Sequence, residues 1–355
     1  MARTSKVLLQ SCMLLSSLLL LILLAVNGNA AEEHYRANIM TGGPKGTYAQ
    51  FGRDIRDLAL SCHINIDVVE SEGSLANIYA IQEKPATPFG IVQSDVLEYM
   101  LGFVKSDRDI RSMVAQTGVA FPLYNEEVHL LARAAIESLE DLKGRRVGVG
   151  PAGSGTNLTA TTVLGISQVP VKEQILSPAD GLKAMRSNSL DAFFYVSGAP
   201  DDFLLHEVTP EDNFGLVSIT TPALLDHYQP VKIQKETYPW LKKDVQTIAV
   251  KTVLMAHDYD PAGSDYQRQS CAMVSEVTYL IAHNLQRLQA QGHKKWNDVR
   301  LDDLPRGWEQ TRCVKRGLAP DYHSSCTSAS EPGQCETITN PVVRQLCKGR
   351  AMRGN

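Results

Sequence analysis

Apolar positions along the chain follow two periods. Short runs that alternate or stay apolar, "YRANIM", "INIDVV" and "PFGIV", read as strands. Between them Tyr48, Phe51, Ile55 and Leu58 recur at helical spacing. "SLANIYAIQEK" reads as a helix, and "SDVLEYMLGFV" as another, opened by Ser94 or Asp95. The resulting β-α-β-α-β order predicts a mostly parallel sheet covered by helices. A second set starts near Val128: strand "VHLLARA", short helix "SLEDLKG", strand "RRVGVG", helices "TNLTATTVLGI" and "ADGLKAMRSN", and strand "DAFFYV". After about residue 218, "DVQTIAVKTVLMA" is strand-like. Met273, Val277, Leu280, Ile281, Asn284 and Leu288 then predict one amphipathic helix of about seven turns. From Trp296 the periodicity fades.

These patterns predict an α/β protein of two lobes. Residues 31–124 and 219–295 form the first lobe, residues 125–218 the second, and the chain crosses between them twice. Residues 296–355 read as a cysteine-rich C-terminal extension.

Composition narrows the class. The chain has 355 residues, 43% hydrophobic and 21% charged, with a net charge of −4. That balance suits a soluble globular protein and gives no basic face for a nucleic-acid partner. The first thirty residues differ: Arg3 and Lys6 precede an apolar run from Leu14 to Val26, and Gly28 and Ala30 follow as small residues. This is the pattern of a secretory signal peptide over residues 1–30, cut at about Ala30/Ala31; the run is short for an uncleaved membrane anchor. Removing it takes Cys12 and leaves Cys62, Cys271, Cys313, Cys326, Cys335 and Cys347. An even count in an exported chain predicts disulfides, and the absence of Cys-x-x-Cys spacing makes zinc the weaker reading.

Three loops follow a strand and open a helix: "TGGPKGTY", the "QSD" of Gln93 to Asp95, and "GPAGSGTNLTA" from Gly150 to Ala160. At such places free backbone N–H groups and the positive end of the helix dipole meet, which suits an anion. "GVGPAG", Gly148 to Gly153, matches the dinucleotide fingerprint, but its acidic partner would fall near Glu173, which is not clearly a strand end. The lysine of "GGPKGT" precedes the last glycine, so the Walker pattern fails. Ser154 lacks the G-x-S-x-G frame, and no histidine is marked as its base. A secreted α/β enzyme using the Gly148 to Thr156 loop is the alternative reading; an interaction protein working through its cysteine-rich tail is a third. His129 reads as a packed or exposed histidine, and Asp201 and Asp202 as a solvated turn. No catalytic residue, metal or cofactor is expected.

Several ordered motifs resemble those of the TAXI family, extracytoplasmic solute receptors of tripartite ATP-independent periplasmic (TRAP) transporters. They are "TGGPKGTYA", "GSLAN" (Gly73 to Asn77), "GIVQSD" (Gly90 to Asp95), "LLARAAIESLEDLKGRRVGVGPAGSGT", "FFYVSGAP" (Phe193 to Pro200) and "YPWLKKDVQTIAV". The resemblance runs from about Tyr35 to Gln291. It implies a type II periplasmic-binding-protein fold, with a hinge and an interlobe cleft, in a periplasmic monomer. The implied partners are a small carboxylate solute, such as glutamate or 2-oxoglutarate, and TRAP membrane subunits. On this reading the first lobe contributes Thr41, Gly46, Thr47, Tyr48, Ser74, Asn77 and Gln93. The second contributes Ser154, Gly155, Thr156 and Thr159, with Ser197 and Gly198 closing the crevice. Pro44-Lys45 and the missing glycine of "YPWL" depart from the family pattern; Lys45 reads better as solvated than as a ligand.

Overall fold

The computed structural model describes residues 36–325. The expected signal peptide, Cys12, Cys326, Cys335 and Cys347 lie outside the described residues.

The first set of elements is β1 (Arg36–Met40), α1 (Thr47–Leu60), β2 (Asn65–Val69), α2 (Ser74–Glu83), β3 (Phe89–Gln93), α3 (Ser94–Phe103) and α4 (Arg108–Gln116). Strand β4 (Thr117–Arg133) leads into the second set: β5 (Arg146–Gly148), α5 (Gly155–Ile166), β6 (Lys172–Gln174), α6 (Pro178–Arg186), β7 (Ala192–Ser197), α7 (Asp202–Glu207), β8 (Phe214–Leu216) and β9 (Gln229–Ile233). Strand β10 (Val245–His257) leads back to α8 (Asp265–His283), α9 (Leu285–Gln291) and α10 (Arg312–Gly317).

Among the described residues ten strands form one mixed sheet, ordered β2-β1-β3-β10-β4-β7-β5-β6, with β8 on β4 and β9 on β10. Each end of the sheet is parallel: β1 pairs β2 and β3, while β5 pairs β6 and β7. The centre is antiparallel, with β10 between β3 and β4, and β4 beside β7. The two long strands thus carry the chain between two parallel βα arrays. Strand β3 is buried at every position and reads as a continuous apolar run, as parallel strands covered on both faces do. Separate cores back the two arrays. Ile78, Val92, Leu97, Val253 and Met255 form one; Val147, Val163, Phe194 and Val250 belong to another.

Several details differ from the sequence pattern. Strand β4 begins eleven residues before Val128, because Pro122 and the polar Asn125-Glu126-Glu127 hide its alternation. Pro122 sits opposite Val253 beside a register shift, where a missing N–H is tolerated. The long C-terminal helix is two helices. Asn284 adopts φ −112° and ψ 18°, and its side-chain amide donates to the Leu280 carbonyl at 2.8 Å, sharing it with the Asn284 backbone N–H at 3.0 Å. Residues 219–244, expected with the first lobe, pack with the second array: Ile219, Leu224 and Tyr228 share the core of Val147, while Tyr238 and Trp240 share that of Phe193. The start of the expected extension is built into the body. Trp296 is fully buried and stacks on Phe51 at a centroid distance of 4.4 Å, and its indole N–H donates to Asp54 at 2.8 Å. Further on, the Val119 amide donates to the Glu309 carbonyl at 2.9 Å. Such short pieces have no period to read. Cys271 and Cys313 form a disulfide that fastens α10 to α8; Cys62 is also disulfide-bonded. Among the described residues no helix is long and apolar enough to cross a membrane.

Candidate functional site

The three strand-to-helix loops converge. A cavity of about 400 Å³ is lined by Gly46, Thr47, Tyr48, Ser74 and Gln93 from the first array, and by Ser154, Gly155, Thr156 and Ser197 from the second. The order of the strands explains this. Helices α1, α2 and α5 each leave the carboxyl end of a parallel strand, where ligands bind in open α/β sheets. Neither α1 nor α2 carries a side-chain cap, while the Ser154 hydroxyl caps α5 by accepting from the Asn157 amide at 3.0 Å. That role, with donation to the Pro151 carbonyl at 2.7 Å, leaves Ser154 engaged as a turn residue.

Four of the expected residues stand behind the lining and shape it. Thr41 donates to the Val69 carbonyl at 3.0 Å. Asn77 donates to the Thr41 and Ile91 carbonyls, at 2.7 Å each, tying β1 to β3. Thr159 donates to Asp95 at 2.6 Å. At Gly198 a Cβ would be tight against Tyr124, Lys295 and Thr47, at 3.0 to 3.3 Å.

The arrays touch around the cavity. The Leu75 amide donates to the Gly153 carbonyl at 3.1 Å, and Thr47 and Ser197 share a hydroxyl–hydroxyl bond of 3.2 Å. Gly73, at φ +117°, lets the chain pass close to Ser154 in a conformation that other residues rarely adopt. The Tyr228 hydroxyl joins Thr159 on Asp95, at 3.2 Å. Lys45 pairs with the exposed Glu207 and does not line the cavity.

Sequence reasoning missed the acidic residues of this region. Glu126 lines the cavity, only 2% exposed. Its Oε2 accepts from the Tyr48 hydroxyl at 2.9 Å and from the Gln93 amide at 3.0 Å. Burial pushes its carboxyl up to about 8, against the lowering effect of those bonds. Asp201 is not a solvated residue, as its neighbourhood suggests, but buried. It accepts from Ser197 at 2.5 Å and Tyr195 at 3.2 Å, and caps α7 through the Phe203 and Leu204 amides. Burial pushes it up to about 6. Adjacent charged letters resemble a surface turn; the N-cap position of Asp201 was the available signal. His129 is fully buried, with its Nε2 2.9 Å from the Tyr238 hydroxyl, and burial lowers its pKa to about 4. Among the described residues no cluster of His, Cys, Asp and Glu is arranged to hold a metal ion.

A family model described as the NMT1-like family matches residues 39–307, which includes every residue named above as lining the cavity. The chain belongs to the NMT1-like family. Solved structures similar to it include the periplasmic sulfonate-binding protein SsuA from Methylobacillus flagellatus: 15% identity over 73% of this chain and 70% of that one, with a TM-score of 0.42. The alkanesulfonate-binding protein SsuA from Xanthomonas axonopodis pv. citri, bound to MOPS, is 15% identical over 76% of this chain and 86% of its own, at a TM-score of 0.39. The periplasmic binding protein BugD is 9% identical, covering 75% and 88%, at 0.44.

Proposed function

We propose that this NMT1-like protein is a periplasmic solute receptor and not an enzyme. It binds a small carboxylate, an amino acid or an organic acid such as glutamate or 2-oxoglutarate, between two lobes joined by β4 and β10. It delivers that solute as a monomer to the membrane subunits of a TRAP transporter. One observation carries the reading: Thr47, Gln93, Thr156 and Ser197, scattered over 150 residues of sequence, line one cavity. Two arrays that each supply helix starts to one cavity can hold an anion only when closed on it, so ligand shifts the population toward the closed form. The resemblance of the ordered motifs to those of TAXI receptors is what supports the TRAP partner; the first of them, "TGGPKGTYA", supplies part of the lining.

A thermal-shift screen of amino acids and organic acids tests it. At a hundredfold excess over Kd, a true ligand stabilises the protein by about 2.7 kcal/mol. Native mass spectrometry of freshly purified protein would identify a retained solute. A carboxylate screen without any shift would discard this ligand class.

A further inference from the structure

The cavity is mismatched in charge for an anion. Helix starts favour negative charge there. Yet its lining includes three carboxyl groups, Glu70, Glu72 and Glu126, and no Lys, Arg or His. Glu70 and Glu72 are exposed and stay hydrated. Glu126 is buried in the wall, where an ionised carboxylate beside a bound anion would face it in a low dielectric without a counter-charge.

We propose that Glu126 is a proton site: the protein binds its carboxylate solute together with a proton held on Glu126, and the neutral carboxyl acts as a donor toward the solute anion. This rests on the receptor reading above. The groups facing Glu126 supply no positive charge. They are Tyr48 on α1, Gln93 at the end of β3, Asp95 at the start of α3, Tyr124 on β4, Tyr195 on β7 and Thr252 on β10. Two lysines of this part of the fold pair with other carboxylates, Lys295 with Glu127 and Lys251 with Asp303. With the carboxyl pushed up to about 8 by burial, the proton is in place at neutral pH before the solute arrives. A bound anion raises it further. Binding below pH 8 therefore moves no proton, and binding above it takes one from solvent.

Calorimetric titration of the purified protein between about pH 6.5 and 9.5, in buffers of different ionisation enthalpy, tests this with 2-oxoglutarate and L-glutamate as probes. For 2-oxoglutarate, Kd should stay flat below about 8 and weaken about tenfold per pH unit above it, with uptake of one proton per ligand. In Glu126→Gln the same Kd should be independent of pH. The opposite pattern overturns the proposal: L-glutamate affinity that rises through pH 8 with proton release, and vanishes in Glu126→Gln, would make Glu126 an ammonium acceptor. A ¹³C carboxyl titration of wild-type protein needs no ligand and no variant; a Glu126 midpoint near 8 is expected, and one below about 6 removes the proton site. That result with binding intact leaves the receptor reading standing. A midpoint near 8 with neither probe bound removes the receptor reading for these acids, and with it the role assigned to the proton.

Discussion

A Cβ placed on Gly155 would lie 1.8 Å from the Gln93 Oε1 and 2.6 Å from the Ser74 hydroxyl. Gly155 opens α5 and Gln93 ends β3, so the second array comes against the first at a point where one methyl group fits only if the Gln93 side chain or an array moves. Gly155→Ala should hold the arrays apart without disturbing either core. Overpacking costs about 1–3 kcal/mol, so ligand affinity measured by calorimetry should fall roughly 5- to 150-fold. The urea midpoint without ligand should move much less. An unchanged affinity would mean that binding does not require this contact.

Thr47 meets Ser197 at 3.2 Å and the Gly198 carbonyl at 3.3 Å. Thr47→Val keeps the shape and removes the hydroxyl. A neutral hydrogen bond is worth about 1 kcal/mol net, so Kd should rise about fivefold, with the loss mainly in the dissociation rate measured by stopped flow.

The buried carboxyl of Glu126 also makes stability depend on pH. Its folded value, about 8, lies above the ordinary value of 4.5. The protonated form is therefore the one the fold prefers. Stability from this group is complete below about 4.5 and is lost as pH rises through 8. Urea unfolding of wild type and Glu126→Gln at pH 5 and pH 8 should show the wild type losing several kcal/mol relative to the variant. Asp95 and Asp201, each raised to about 6, contribute in the same direction in both proteins.

Truncation after residue 295 should unfold the first array and not merely trim an appendage. It deletes Trp296, whose ring fills the space over Phe51, and the segment paired with Val119. Trp296→Ala alone should cost about 3–5 kcal/mol, read as a shift in the urea midpoint. A truncated protein that melts as the full chain does would refute this packing.

The Cys271–Cys313 disulfide closes a loop with a sequence separation of 42 residues. On the chain-entropy model that constraint is worth about 4 kcal/mol. Cys271→Ala/Cys313→Ala should melt lower than wild type in a thermal scan, and the gap should close when both are scanned under reducing conditions.

Much of the cavity lining was legible because its residues share a local grammar. Gly46-Thr47, Gln93-Ser94 and Ser154-Gly155 each mark a strand-to-helix turn, Gly73-Ser74 entered through the resemblance, and the strand order brings such turns to one end of the sheet. What the sequence hid lies on long-range packing. Glu126 stands in a polar stretch next to Glu127, and nothing in its spacing distinguishes a buried carboxyl from a hydrated one. The two neighbours in fact face different partners: Glu126 meets Tyr48, and Glu127 meets Lys295 at 2.6 Å. Asp201 and Asp202 divide in the same way, one buried under Tyr195 and the other bonded to Gln50 at 2.8 Å. Thr41, Asn77, Thr159 and Gly198 carry the same kinds of side chain as the lining residues, yet they brace the walls from behind.

The position of β10 dictates an order of events in folding. Val92 on β3 waits for Val253, and Phe121 on β4 waits for Leu254, partners synthesised more than 130 residues later. Until residue 257 has emerged, the middle of the sheet has two unpaired edges, both strongly apolar. Pairings of such separation close slowly, so the middle of the sheet is the last part of the fold to cover its edges.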